Sequence, residues 1–400
     1  MAPPPGTASA ASLDERRNDG PPQKNSWRAR WRAFRTRTIA RPGFQRWAAG
    51  FPLTQRIARA NTKALFDLCA GFVYSQTLFA CVRLDLFRIL ADAPLGPETV
   101  AARTSLAPAR AERLLKAATA LDLLVRLPDG RFALADLGAA LIGNPSVAAM
   151  IEHHALLYAD LADPVALLRG ETGPTHLSRY WAYAEAARGD PANAEPVAAY
   201  GALMGASQDL IAGDILDAYP LRDHRRILDV GGGEGAFLKA AARRAPGLDL
   251  MLFDLPAVAA RAETSFTEAG LDARAKTFGG AFPDDPLPHG ADLVSLVRVV
   301  HDHDDAKVRA LLRAVHAALP PGGTLLIAEP MAGTPGAEAM ADAYFGFYLL
   351  AMGTGRCRTA AELARLLAEA GFGEIREVAT RRPLLTRLLV SRRLDTPLCK

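Results

Sequence analysis

Ile227-Leu228-Asp229-Val230-Gly231-Gly232-Gly233-Glu234-Gly235 is the stretch that decides the fold. A short apolar run ends in glycines, and Ala236–Arg244 then reads as a helix. A buried strand that feeds a glycine turn and a helix opens a doubly wound sheet, and such sheets bind ligands at the carboxyl ends of their strands. Working outward, Leu248–Phe253, Ala291–Val297 and Thr324–Ala328 are further apolar runs separated by helical stretches. Strands alternating with helices predict a parallel α/β sheet over residues 216–400.

The turn itself points to a ligand. Glycine is needed where backbone turns sharply and a ligand approaches with no Cβ between, so Gly231, Gly233 and Gly235 are candidate cofactor residues. The next strand ends at Asp254, a carboxylate able to accept hydrogen bonds from two ribose hydroxyls. Acidic residues stand at both shoulders of the turn, Asp229 and Glu234. They are unfavourable beside a pyrophosphate and favourable beside the amino group and sulfonium of S-adenosylmethionine. A nicotinamide dinucleotide prefers G-x-G-x-x-G, whereas this turn is G-x-G-x-G. None of the eight tyrosines has a lysine four residues on, which removes one common hydride-transfer arrangement. A dinucleotide and a ligand-free turn remain as alternatives.

Chemistry is expected after the strand Ala291–Val297, where Arg298-Val299-Val300-His301-Asp302-His303-Asp304-Asp305 lies at the same sheet edge. His301 there can take a proton from a hydroxyl as its oxygen attacks a methyl group. Glu329, after the next strand, can orient that imidazole and stabilise its cation. Arg298 is grouped with the cofactor residues. Methyl transfer is an in-line displacement, so alignment supplies most of the rate. Two other readings are a divalent metal on His301 and His303, or a solvated helix start at Asp304 and Asp305. No metal site is expected, since Cys69, Cys81, Cys357 and Cys399 follow no metal spacing.

Length and charge set the frame. Four hundred residues imply two or three domains with a core that needs no disulfides. Residues 1–26 carry no apolar signal-peptide core and read as disordered; a reducing, cytoplasmic setting is expected. Ala64–Val82 is broken by Asp67, Ser75 and Gln76 and reads as a buried helix, not a span. Residues 1–60 hold 12 basic against 3 acidic side chains; the remaining 340 hold 35 against 40. The basic balance therefore belongs to an arm over residues 1–50. In it Trp27, Trp31, Phe34 and Thr38 share a helical face among arginines. Residues 27–47 suit an anionic membrane surface, inner or photosynthetic, or else pack on the body or a second copy.

Residues 51–215 are mainly helical. Glu98–Leu106, Arg110–Leu124 and an Asp129-Gly130 hairpin resemble a winged helix-turn-helix. The body's acidic balance argues against a nucleic-acid partner and for dimerisation. Residues 145–220 add helices punctuated by His153, His154, Tyr158, Tyr180, Trp181, Tyr183, Tyr200 and Met204.

These motifs together resemble the S-adenosylmethionine-dependent O-methyltransferases of the acetylserotonin/caffeate type, over about residues 60–390. The carriers are Asp229–Gly235, Phe253-Asp254-Leu255-Pro256, His301-Asp302, Ala328-Glu329-Pro330 and Arg358-Thr359. The resemblance implies a Rossmann-like methyltransferase sheet behind a winged-helix dimerisation domain, and a homodimer. It also implies His301 as base, Glu329 beside it and Asp254 on the ribose. The chain departs from the plant enzymes at three places. His303 stands for their tryptophan, Gly280 for their adenine-binding aspartate, and Cys357 for their second glutamate.

More narrowly, the chain is similar to bacterial carotenoid O-methyltransferases. The segments are Phe44–Ala48, Ala70–Gln76, Glu152–Tyr158 and Asp163–Leu168. That implies methylation of the tertiary 1-hydroxyl of acyclic carotenoids of the demethylspheroidene and hydroxyneurosporene type. Tyr344, Phe345, Phe347, Tyr348 and Met352 are placed to line the acceptor pocket. The competing readings are a soluble phenolic acceptor, and a winged-helix regulator that keeps a vestigial ligand sheet.

Overall fold

The computed structural model describes residues 27–180, 208 and 210–394. Residues 1–26 and the residues Trp181, Tyr183, Tyr200, Met204 and Cys399 singled out above lie outside the described residues. The chain divides into two compact units, Met1–Gln76 and Thr77–Lys400.

In the first unit, helices α1 (Trp27–Ile39) and α2 (Pro42–Gly50) lead into α3 (Pro52–Arg83), which runs on past the unit's end. Pro42 and Pro52 each occupy the first helical position, where a missing N–H costs nothing. No residue of α1 is buried; Trp27 is 73% exposed and Trp31 60%. Aromatic rings follow one another along the outside: Trp31 near Phe34, Phe44 near Trp47, and Trp47 stacked on Phe51 at 4.9 Å. The expected buried helix over Ala64–Val82 is corrected by the structure. Cys81 is the single buried residue of α3, while Leu65, Phe66, Leu68 and Phe72 stand in solvent. An apolar helical pattern is the same whether its own chain or another molecule covers the face, so the pattern alone could not separate the two.

The second unit begins with the winged helices. After α4 (Leu86–Ile89) come α5 (Pro97–Thr104) and α6 (Pro108–Ala120). Strands β1 (Leu124–Arg126) and β2 (Phe132–Leu134) then pair antiparallel around Gly130, whose φ is +86°. Leu86, Leu115, Leu124 and Phe132 form their shared core. Helices α7 (Asp136–Ile142), α8 (Pro145–Asp160) and α9 (Pro164–Arg169) follow.

The sheet then alternates with helices as expected. Its elements are β3 (Arg226–Val230), α10 (Ala236–Arg244), β4 (Asp249–Asp254), α11 (Pro256–Glu268), β5 (Ala275–Gly279) and β6 (Leu293–Val297). They continue with α12 (Asp305–Ala318), β7 (Thr324–Glu329), α13 (Phe345–Met352), α14 (Ala360–Glu369), β8 (Phe372–Val378) and β9 (Arg387–Arg393). The strand order is β5-β4-β3-β6-β7-β9-β8, with β9 antiparallel to both its neighbours, β7 and β8, and every other neighbouring pair parallel. Both faces are apolar, which is why the strands read as continuous hydrophobic runs. Leu228, Val230, Phe253 and Leu296 pack with Val308, Leu312 and Val315 of α12. Ile227, Leu250, Leu252 and Leu293 pack with Phe237 of α10 and Phe266 of α11. The strand order reverses between β3 and β6, and a sheet opens a ligand crevice at that switch point.

Candidate active site

The loops after β3 and β6 meet at the switch point. Gly231 adopts φ +71°, and a Cβ on it would lie 2.8 Å from Val299 Cγ2 in the loop beyond β6. The glycine turn and the His301 turn therefore border one crevice. Gly233, at φ +59°, has nothing within 4 Å of a would-be Cβ: it faces open space. Its N–H donates to Asp254 Oδ2 at 2.8 Å, while Asp254 Oδ1 accepts from Leu255 N–H at 2.7 Å. Gly235 has a different task, since a Cβ there would strike the Phe266 ring and part α10 from α11.

Asp229 is fully buried below this turn. Its Oδ1 accepts from the Ser295 hydroxyl at 2.6 Å across the β3–β6 pair. Its Oδ2 is buried with no hydrogen-bond partner and would lie 2.6 Å from a Cβ on Gly232. Burial pushes the Asp229 carboxyl up to about 7, against the Ser295 hydrogen bond. Burial also raises Asp254, to about 6, against its two backbone N–H donors. Two carboxyls so placed are stabilised by a ligand bringing positive charge or hydroxyl donors, and would repel a pyrophosphate. Glu234 is not available for this, because Arg261 holds it at 3.0 Å.

On the far side of β6, Arg298 has φ +58°, a left-handed conformation uncommon outside glycine and typical of functional loops. A 3-10 turn, Val300–Asp302, follows. It buries His301, which is 4% exposed. Glu329 Oε2 accepts from the His301 backbone N–H at 3.0 Å and lies 3.3 Å from Nδ1. Asp302 Oδ1 lies 3.3 Å from Nε2. Burial alone would lower the His301 pKa, but the Asp302 and Glu329 carboxylates outweigh it and raise it above the ordinary imidazole value. Burial raises Asp302 as well, against the pull of His301.

Sequence reasoning missed how this turn is held. Arg358 is fully buried and reaches it from the segment before α14. It donates to the Val300 carbonyl at 2.9 Å and to the His303 carbonyl at 2.8 Å, bracketing His301. Its Nε and Nη2 also donate to Asp305, at 2.9 and 2.7 Å. Hydrogen bonds from Arg358 and Arg356 hold the Asp305 carboxyl down at about 2. Arg356 N–H donates to the His301 carbonyl at 2.9 Å, and a Cβ on Gly355 would strike that same oxygen. The Arg358-Thr359 pair carried the available signal. Thr359 caps α14 in a capping box with Glu362, which fixes where Arg358 points.

The three departures have physical reasons. A Cβ at Gly280 would come within 2.7 Å of the Phe253 ring, so no aspartate fits there in this backbone. Burial drives the Cys357 thiol up to about 12, so it stays protonated and does not replace a carboxylate. His303 sets its ring edge against Phe282 at 5.2 Å, and burial lowers its pKa to about 3. Among the described residues no group of three side chains is arranged to hold a metal ion.

Opposite His301 stand α8 and α13, the latter continuing a π-helical turn, Ala339–Tyr344. Such turns often occur at functional sites. The Phe345 ring lies edge-on to His301 at 5.9 Å. His153 Nε2 is 2.8 Å from the Tyr348 hydroxyl and His154 Nε2 2.7 Å from that of Tyr344. Burial lowers His153 to about 4, lowers His154 and raises Tyr344 to about 12, so these pairs are uncharged. The Arg298 charge acts on Tyr344, Tyr348, His301 and Asp302.

Comparison with known proteins agrees with this geometry. The O-methyltransferase domain family matches residues 158–373, and the O-methyltransferase dimerisation domain family matches residues 66–144. The chain is 48% identical over 357 residues to the demethylspheroidene O-methyltransferase of Cereibacter sphaeroides, covering 88% of this chain and 93% of that one. It is 34% identical over 334 residues to the acetylserotonin O-methyltransferase of Mus musculus, covering 78% and 84%. Among solved structures, CalO1, a methyltransferase in calicheamicin biosynthesis in its SAH-bound form, superposes with a TM-score of 0.70. It is 26% identical, over 84% of this chain and 98% of its own. The chain therefore belongs to the S-adenosylmethionine-dependent O-methyltransferases and carries, ahead of the catalytic sheet, the dimerisation domain of that family.

Proposed function

We propose that this enzyme methylates the tertiary 1-hydroxyl of an acyclic carotenoid of the demethylspheroidene or hydroxyneurosporene type. The observation that carries the site's role is the imidazole of His301 set between two carboxylates at the mouth of the glycine turn. The acceptor is supported by the 48% identity to a demethylspheroidene O-methyltransferase and by the aromatic wall of α8 and α13.

The buried, unpartnered Asp229 Oδ2 and the open cradle at Gly233 fit S-adenosylmethionine. When bound, that cofactor supplies a methyl group on a cationic sulfur. Asp254 would accept from the ribose hydroxyls, Asp229 would offset the positively charged end, and Gly231 and Gly233 would leave room for it, with Gly235 letting the following helix pack on Phe266. Glu329 holds His301 by Nδ1, leaving Nε2 beside Asp302 to receive the acceptor's proton. A tertiary alcohol is a weak acid, so His301 must take the proton as the carbon–oxygen bond forms. The aromatic wall excludes water from the oxygen until it is aligned.

A carotenoid dissolves in membrane, and the arm of residues 27–47 suits peripheral attachment to the cytoplasmic face of an inner or photosynthetic membrane. Incubation with an acyclic hydroxycarotenoid and with a phenol, following labelled methyl by mass spectrometry, tests the acceptor. Methylated carotenoid is expected; turnover of the phenol alone overturns the reading.

A further inference from the structure

We propose that a ladder of rings running from His301 to Phe79 is the distal subsite that binds the hydrocarbon chain of the acceptor; this rests on the polyene acceptor above. From Phe345 at His301 the next ring is Tyr344, at 5.0 Å. His154 follows Tyr344 at 5.5 Å, Tyr158 follows His154 at 6.1 Å, and Phe79 meets Tyr158 edge-on at 5.9 Å. The rungs come from the π-helical turn and α13, from α8 and from the C-terminal part of α3, so no single element carries the path.

Two properties separate this ladder from ordinary packing. The aromatic rings of the sheet core, Phe237, Phe253, Phe266 and Phe372, are at most 2% exposed. The ladder rings beyond His301 are only half-buried. Two pairs of polar groups along it are matched to each other. His154 with Tyr344, and beside them His153 with Tyr348, share hydrogen bonds and stay uncharged. A hydrocarbon passing them meets carbon faces and no unmet charge, so its burial carries no polar desolvation cost. A conjugated chain gains dispersion contact along such rings. The hydroxyl end is then presented at His301, and chain length is measured toward Phe79.

The test uses the full-length enzyme with two acceptors that share a tertiary-alcohol head: an acyclic hydroxycarotenoid and a short acyclic tertiary alcohol. Phe79→Ala and Tyr158→Leu are expected to raise KM for the carotenoid about tenfold, the loss of one aromatic contact. Carotenoid kcat and the kinetics of the short alcohol stay as in the wild type. Tyr158→Phe, which keeps the ring, is expected to behave as the wild type. Phe79→Leu keeps apolar volume without a ring and is read by the same criteria if Phe79→Ala does not fold. An unmoved carotenoid KM, or equal losses with both acceptors, overturns the ladder and leaves the acceptor reading standing. Wild-type turnover of phenols with none of the carotenoid overturns both.

Discussion

Replacing Arg358 isolates how much of the chemistry depends on the backbone beneath His301. Arg358→Met removes the donors to the Val300 and His303 carbonyls and the fork on Asp305. Val300 O keeps one partner, the His303 N–H at 3.3 Å, so the His303 carbonyl takes the main loss. A buried carbonyl left unpaired costs about 1–3 kcal/mol. Asp305 is not stranded, because it retains Arg356 at 3.2 Å and its side chain is 32% exposed. The expected destabilisation is therefore about 2–4 kcal/mol, below the upper end for a broken buried ion pair. Arg358→Lys keeps the charge but cannot fork, and is expected to lose about half of that. Urea denaturation followed by far-ultraviolet circular dichroism reads this as a lower midpoint at constant slope. Single-turnover methyl transfer reads the other half. A shift of the turn by a fraction of an ångström lowers kcat about tenfold or more, with KM for S-adenosylmethionine within about twofold. A variant with the wild-type midpoint and the wild-type kcat would refute the assignment of Arg358 as the residue that positions the turn.

Other outcomes follow from the same geometry. His301→Ala is expected to lower kcat by about 100-fold or more while cofactor binding, read by calorimetry, is unchanged; a wild-type rate removes His301 from the chemistry. Only neutral imidazole accepts a proton and the His301 pKa is raised, so kcat/KM should climb with pH through a value above 6.5. Glu329→Gln should move that limb to lower pH, and a limb that stays put contradicts the pairing. Asp229 and Asp254 have raised pKa values near 7 and 6, so a cationic cofactor binds more weakly as pH falls through that window and expels protons on binding. Calorimetry in buffers of different ionisation enthalpy measures this, and an affinity unchanged across the window rejects it. Deleting residues 1–50 should weaken sedimentation with anionic vesicles about tenfold or more without altering the unfolding midpoint of the remainder. Undiminished sedimentation would exclude the arm as the attachment.

Much of the catalytic half was legible because its signals are local. A short run of Ile227, Leu228, Asp229 and Val230 before three glycines encodes a strand, a turn and a helix by itself, and the spacing to Asp254 reports the next strand's end. What stayed hidden depends on residues distant in the chain. His153 and Tyr348 are 195 positions apart, and their hydrogen bond follows from how α8 docks on α13, which no periodicity reports. Glu234 reads as a free carboxylate until Arg261 arrives from α11. Arg358 reads as half of a dipeptide motif until three acceptors converge on its guanidinium. The exposure of Leu65, Phe66, Leu68 and Phe72 was illegible for another reason, since an apolar helical pattern is the same whatever lies over its face.

The placement of β9 between β7 and β8 orders events during synthesis. β8 leaves the ribosome first yet has no neighbour to zip onto until β9 emerges and slots in beside β7. In that interval it is a dangling ribbon that a sister chain could seize. Glu374, Arg376 and Glu377 interrupt its apolar character, the kind of charged stretch that discourages edge-to-edge association. Replacing those charges with valines should show up as inclusion bodies before it shows up as a slower catalyst.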